Sequence, residues 1–192
     1  MLDLTPIHEE VEIRDGRTAK RWIGPKLSFA NYKKVMVKDV IFFPEPTPSD
    51  QVSIETLNEV RGYLTENLKN KIGEVLNLSE EPGEEVLSIQ VAITGVDVKT
   101  QGMKVYEIVP VAAIFGGIKA VTGKRDRDVI VFVETAVTDS LTGEMVGAGE
   151  RRLEGEQLKG KKEKLELQHM QKNLDEAIDG AQELLDDMLR EE

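Results

Sequence analysis

Apolar residues alternate with polar ones from Tyr32, recur every three or four positions from Ile54, alternate again in two later stretches, and return to a helical step near the end. In the first stretch Val35, Val37, Ile41 and Phe43 share one strand face, with Met36, Val40 and Phe42 on the other. Apolar residues on both faces predict an interior or covered strand, ended by Pro44, Pro46 and Pro48, which cannot donate to a ladder. Ser53 is placed to cap a helix whose stripe is Ile54, Leu57, Val60, Leu64, Leu68, Ile72 and Val75.

The next strand sets Leu87, Ile89, Val91 and Ile93 against Ser88, Gln90, Ala92 and Thr94, which predicts one buried and one wet face. Gly95 breaks the phase and predicts a bulge. A third strand, Val129 to Thr138, runs into Asp139-Ser140-Leu141-Thr142-Gly143-Glu144, whose Asp and Gly predict a hairpin returning through Met145 to Arg152. Gly147 and Gly149 weaken that return strand and mark a close approach of another segment. Beyond a basic connector at Lys159 to Lys164, a final helix carries Met170, Leu174, Ala177, Ile178, Ala181, Leu184, Leu185 and Met188 on one face, with acidic residues opposite.

These elements predict an α+β fold: a two-layer sandwich in which a mostly antiparallel sheet carries two long helices, residues 53–76 and 165–190, on one face. Residues 1–31 show no sustained period, and Gly16, Gly24 and Pro25 interrupt them, so they read as an extended N-terminal arm pinned by Trp22. Residues 32–192 read as a single domain.

One stretch resists this plan. Residues 105–123 form an apolar insertion where a short hairpin loop would suffice. With Pro110 opening a helix, Val111, Ile114, Phe115 and Ile118 share an apolar face, while Ala112, Ala113, Gly116 and Gly117 lie opposite. Each glycine costs a helix about 1 kcal/mol relative to alanine, so the segment needs support. Packing within the monomer is one source. Contact with a second molecule is the other, and Val111, Ile114, Phe115 and Ile118 are then the candidate partner contacts.

Composition narrows the chemistry. A chain of 192 residues can bury a full core without staples, and its lack of cysteine removes disulfides, thiolate nucleophiles and Cys-ligated metal sites. Its formal net charge of −11 repels polyanions, so no nucleic-acid partner is expected. No charge-free run is longer than Ile108 to Ile118, which would span about 16 Å as a helix against a hydrocarbon core of about 30 Å. Met1 to Gly16 has no basic start followed by an apolar core, so no signal peptide is expected there.

Catalytic constellations are not legible. His8 and His169 are the only imidazoles, neither has a sequence partner, and both are expected in surface roles. Gly117 to Lys124 is one residue too long for a phosphate loop and is followed by Arg125 where Ser or Thr belongs. Asp126 and Asp128 lack the further ligands and glycine of a calcium loop. No cofactor, metal site or enzyme activity is expected.

The block Trp22-Ile23-Gly24-Pro25, then Tyr32-Lys33-Lys34-Val35-Met36-Val37-Lys38-Asp39-Val40, the helix to Ile72, the strand Leu87 to Thr94, and Asp139 with Thr142-Gly143-Glu144 together resemble a bacterial lipoprotein family, domain-of-unknown-function family 3313. The resemblance covers about residues 20 to 155 and rests on the order and spacing of the motifs. It implies a lipid-anchored place in the cell envelope, periplasmic at the outer membrane, for a form of the chain from which the lipoprotein signal and acylated cysteine have been removed. No catalytic residues come with it. The element order is also similar to the amino-terminal part of the Tol translocation protein and to the curli-secretion lipoprotein, a fold-level analogy that carries no function. The leading expectation is a non-enzymatic envelope domain that binds a protein partner or forms a homo-oligomer. The alternative is a carrier of a small apolar ligand or lipid, with a cavity lined by residues such as Phe42, Leu68 and Phe132.

Overall fold

The computed structural model describes residues 9–13, 17–28, 30–46, 48, 51–100, 127–156, 158 and 163–190. Within them the chain forms β1 (Glu9–Ile13), β2 (Arg17–Ile23), β3 (Lys34–Val37), β4 (Ile41–Phe42), α1 (Ile54–Gly73), β5 (Asn77–Leu78), β6 (Val86–Thr100), β7 (Arg127–Asp139), β8 (Met145–Glu154) and α2 (Gln168–Arg190). The architecture is α+β, with one mixed sheet in the order β1-β2-β8-β7-β6-β3-β5 and β4 also paired to β6.

The expected antiparallel pairing describes β1, β2, β8, β7 and β6, but β3 pairs parallel with both β6 and β5, and β4 parallel with β6. The cause is α1: a helix between β3 and β6 carries the chain back, so both strands run the same way. Of residues 1–31, the strands β1 and β2 extend the sheet beyond β8, to which β2 is paired antiparallel.

Helix α1 begins where Ser53 Oγ accepts the Thr56 N–H at 3.1 Å, as its sequence predicts. Leu57, Val60, Leu64, Leu68 and Ile72 are buried along it, whereas Ile54 at its first turn is 43% exposed. From α2, Met170, Leu174, Ile178 and Leu185 enter the same core as Val35, Val37, Leu87, Ile89, Val91 and Ile93. Leu87, Ile93, Leu174 and Ile178 are at most 2% exposed, and burial of each such side chain stabilises the fold by about 1.5–3 kcal/mol. Polar contacts tie the helices along their length: Tyr63 donates to Asp175, Lys71 pairs with Asp179 at 3.1 Å, and Gln182 donates to Glu74 at 2.9 Å. The partners advance together, so α1 and α2 run in the same direction.

Two expectations about faces are corrected. Val35 and Val37 face the core, but Ile41 and Phe43 do not; they are 37% and 45% exposed, and Val40 and Phe42 take the core side. The ladder breaks at Lys38 to Val40, where the Val40 N–H turns to Thr65 Oγ1 of α1 at 3.0 Å, and this shifts the alternation by one residue. The second correction concerns β6. Its far face is not simply wet, because Ser88 and Ala92 are 3% and 0% exposed. Both are small, and each is flanked on two sides: Ser88 by Met36 and Thr138, Ala92 by Ile41 and Glu134.

The bulge lies where Gly95 predicts it, between Ile93 and Gly95. No helix of the described residues is long and apolar enough to cross a membrane.

Candidate functional site

Several residues that carry the motif resemblance, Trp22, Gly24, Tyr32 and Asp139 to Glu144, meet at one end of the sheet. Asp139 closes β7, and its Oδ1 accepts the N–H groups of Leu141 and Thr142 at 3.1 and 2.8 Å and the Thr142 hydroxyl at 2.9 Å. Gly143 follows with φ +72°, a conformation that a side chain would strain, and its N–H donates to the Asp139 carbonyl at 2.9 Å. Tyr32 reaches across from the start of β3 and donates to Asp139 Oδ2 at 3.2 Å, while Lys26 binds both oxygens of Glu144 at 2.8 Å. The Thr142 backbone N–H, more than any other contact, holds the Asp139 carboxyl below the usual carboxylate range. Burial, and then Asp139, pushes the Tyr32 hydroxyl up.

Ser140 ties this turn to the loop before β6. Its Oγ accepts the Gly83 N–H at 3.0 Å and donates to the Gly83 carbonyl at 3.1 Å, and its N–H donates to the Val86 carbonyl at 3.0 Å. On the adjoining strand Trp22 lays its ring on Gly24. A Cβ on Gly24 would stand 2.8 Å from Trp22 Cη2 and 2.8 Å from the Val146 carbonyl oxygen, so only glycine fits. At Gly147 the close neighbour is the Leu27 side chain, 3.0 Å from where a Cβ would lie. The hydrogen bonds of Asp139, Thr142, Gly143 and Ser140 are spent on one another, on Tyr32 and on backbone, and the corner they make is architectural.

His169 also has a structural part to play. Its side chain is 11% exposed, Nδ1 accepts the Glu166 N–H at 3.0 Å, and Nε2 lies 3.5 Å from Glu163 Oε1. The same connector is held to the start of α1: Gln51 donates to the Glu163 carbonyl at 2.9 Å, and the Leu165 N–H donates to the Gln51 carbonyl at 2.7 Å. The surface role expected for this imidazole is thus replaced by a latch between the β8–α2 connector and the first turn of α2, built by the nearby Glu163 and Glu166. Among the described residues no three His, Cys, Asp or Glu side chains converge as metal ligands would.

The candidate partner contacts Val111, Ile114, Phe115 and Ile118 lie outside the described residues. The strands on either side of them are described. β7 is last paired to β8 at Ile130 with Glu154, but its pairing with β6 continues through Val98 with Val129, Lys99 with Asp128 and Thr100 with Arg127. On its other side β6 is last paired at Ile93, with Phe42. The segment is therefore joined to the sheet by a two-stranded ribbon about 10 Å long beyond the last three-stranded position.

The residues suggested for a ligand cavity do not converge. Phe42 and Leu68 share the core, whereas Phe132 neighbours Gly95 and Arg152 on the sheet face turned away from the helices. An open groove of about 370 Å³ lies elsewhere, at the outer edge of β3, lined by Met36, Val37, Lys38, Asp39, Lys69 and Leu78 among others. Sequence reasoning missed it, because it exists only where β5 stops short of the end of β3.

The motif corner is the setting in which the comparisons with known proteins make sense. A family described as Protein of unknown function (DUF3313) matches residues 7–181. The chain belongs to that family. A DUF3313 chain of this kind is 27% identical over 168 residues to the Uncharacterized lipoprotein YdcL of Escherichia coli (strain K12), an alignment covering 88% of this chain and 76% of the relative. Among solved structures, a PelC dodecamer from Paraburkholderia phytofirmans aligns over 89% of this chain and 95% of that one, with a TM-score of 0.39 and 12% identity. This DUF3313 domain is thus similar to a protein named a lipoprotein, and the family's own function is unknown.

Proposed function

We propose that this chain is a non-enzymatic domain of the cell envelope, held by a lipid anchor at the periplasmic side of the outer membrane, that binds a protein partner or a second copy of itself through its apolar stretch at residues 105–123. The lipoprotein name of its relative supports the compartment. The observation that carries the binding reading is the ribbon of β6 and β7, which runs three residue pairs past the last pairing with β8 and whose connecting sequence is rich in Val, Ile and Ala. A two-stranded ribbon by itself is marginally stable in water. Contact with another surface would supply what the ribbon lacks, and Val111, Ile114, Phe115 and Ile118 are the side chains that would make it.

The test is the double substitution Ile114→Asp with Phe115→Asp. Light scattering after size exclusion should report a lower mass, or affinity capture should lose its specific partner, while circular dichroism stays as in the parent. Unchanged mass together with unchanged partners would overturn the proposal.

A further inference from the structure

His169 takes the place that a glutamate or glutamine usually holds at the start of a helix. In a capping box, the third helical residue reaches back with its side chain and accepts the N–H of the capping residue. With Glu166 as that residue, the His169 N–H donates to the Glu166 carbonyl at 3.1 Å, and the Glu166 N–H donates to His169 Nδ1 at 3.0 Å. A backbone N–H can only donate, so Nδ1 carries no proton and the hydrogen of the neutral ring sits on Nε2. A glutamine here would accept at every pH. An imidazole accepts only while it is neutral.

The other groups at this joint do not offer Nδ1 a second partner. The Glu166 carboxylate accepts from Gln168 Nε2 at 2.8 Å, and Glu156, beyond β8, brings its backbone N–H to the His169 carbonyl at 2.8 Å. From the start of α1 come groups that do not titrate: Gln51 donates to the Glu163 carbonyl, and Thr56 Oγ1 donates to the Leu165 carbonyl at 3.3 Å. Lys164 and Lys172, the lysines nearest along the described chain, are exposed. Glu163 Oε1 faces Nε2 at 3.5 Å in either state of the ring, so only the Nδ1 side changes with charge. A proton there sets two donors against each other across 3.0 Å and puts a positive charge at the positive end of the helix dipole.

We propose that His169 is a pH-sensitive clasp on the first turn of α2, fastening the turn while the ring is neutral and releasing it when the ring is an imidazolium. The sign follows from the bond: what the clasp contributes is present at the alkaline end and is lost as pH falls and the proton arrives. Loss of one cap corresponds to roughly a fivefold rise in local opening. The release is local, because Leu165 and Met170 on either side of the turn are each 4% exposed and stay anchored in the core. The clasp makes no use of residues 105–123, so this reading and the proposed function fail independently.

The experiment follows amide hydrogen exchange of the whole chain, corrected for the intrinsic rate at each pH, beside the chemical shifts of the His169 ring nitrogens. At about pH 7.5 the ring should carry its hydrogen on Nε2 alone. Between about pH 7.5 and about pH 5.5, protection of the Glu166 amide should fall roughly fivefold, along the titration curve of that ring. The Leu174 amide, in the middle of α2, should keep its protection. His169→Gln supplies an acceptor that does not titrate, so its Glu166 amide should hold steady within about twofold over the same range. A ring protonated on Nδ1 at the alkaline end, a Glu166 amide indifferent to pH in the parent, the same fall in His169→Gln, or an equal fall at Leu174 would each overturn the proposal. Should His169→Gln leave the amide open at every pH, the parent decides: a Glu166 curve that coincides with the ring's titration supports the clasp, and a displaced one overturns it.

Discussion

Helices α1 and α2 occupy the same layer, run in the same direction and feed the same core, yet their interior glycines stand in opposite circumstances. A Cβ added at Gly62 of α1 would meet nothing within 4 Å. One added at Gly180 of α2 would lie 2.6 Å from both terminal nitrogens of Arg151, whose Nη1 donates to the Ala177 carbonyl at 2.9 Å. α1 spans the crossover between β3 and β6, whereas α2 lies down on β8 with a guanidinium trapped beneath it. The difference teaches that a methyl added to a helix glycine can meet open space or an arginine that must give way, and that only the partner surface tells which.

That comparison can be broken first at its shared core. Leu174 is 0% exposed, and Leu174→Ala should destabilise the chain by about 2–5 kcal/mol in urea unfolding, the range for buried Leu truncations. A loss below about 1 kcal/mol would mean that α2 is not seated as described. A smaller effect is expected at Gly180. Gly180→Ala gains about 1 kcal/mol of helix propensity but displaces a charged hydrogen bond worth about 1.5–3 kcal/mol, for a net loss of about 1 kcal/mol. The matching change Gly62→Ala has no clash to offset it and should stabilise by about 0.5–1 kcal/mol, read in the same unfolding curves. Opposite signs for these two alanines would sharpen the contrast between the helices; equal signs would erase it.

Much of the local structure could be read before the fold was known, in some places better than in others. The cap at Ser53, the bulge at Gly95 and the hairpin at Asp139 to Gly143 were legible because a few neighbouring residues determine each of them. The alternation of β3 into β4 was misread, since Thr65, twenty-five positions away, takes the Val40 N–H and shifts the phase. His169 read as a surface residue because the connector holding Glu163 and Glu166 against it is itself positioned by Gln51, more than a hundred residues away. The groove beside β3 left no trace in residue types. It depends on how far β5 runs beside β3, and backbone groups look the same in every sequence.

Local periods of two and of three to four settled by themselves that the described residues hold strands, two long amphipathic helices and a core of aliphatic residues, because burial of alternate or stacked side chains follows directly from strand and helix geometry. Tertiary structure alone decided that β3, β4 and β5 run parallel to their neighbours, that Ser88 and Ala92 lie sunk between larger residues, and that Gly180 rests on Arg151. Each of these depends on contacts between residues far apart in the chain. A pattern of local periods holds no information about which distant segment will arrive beside it.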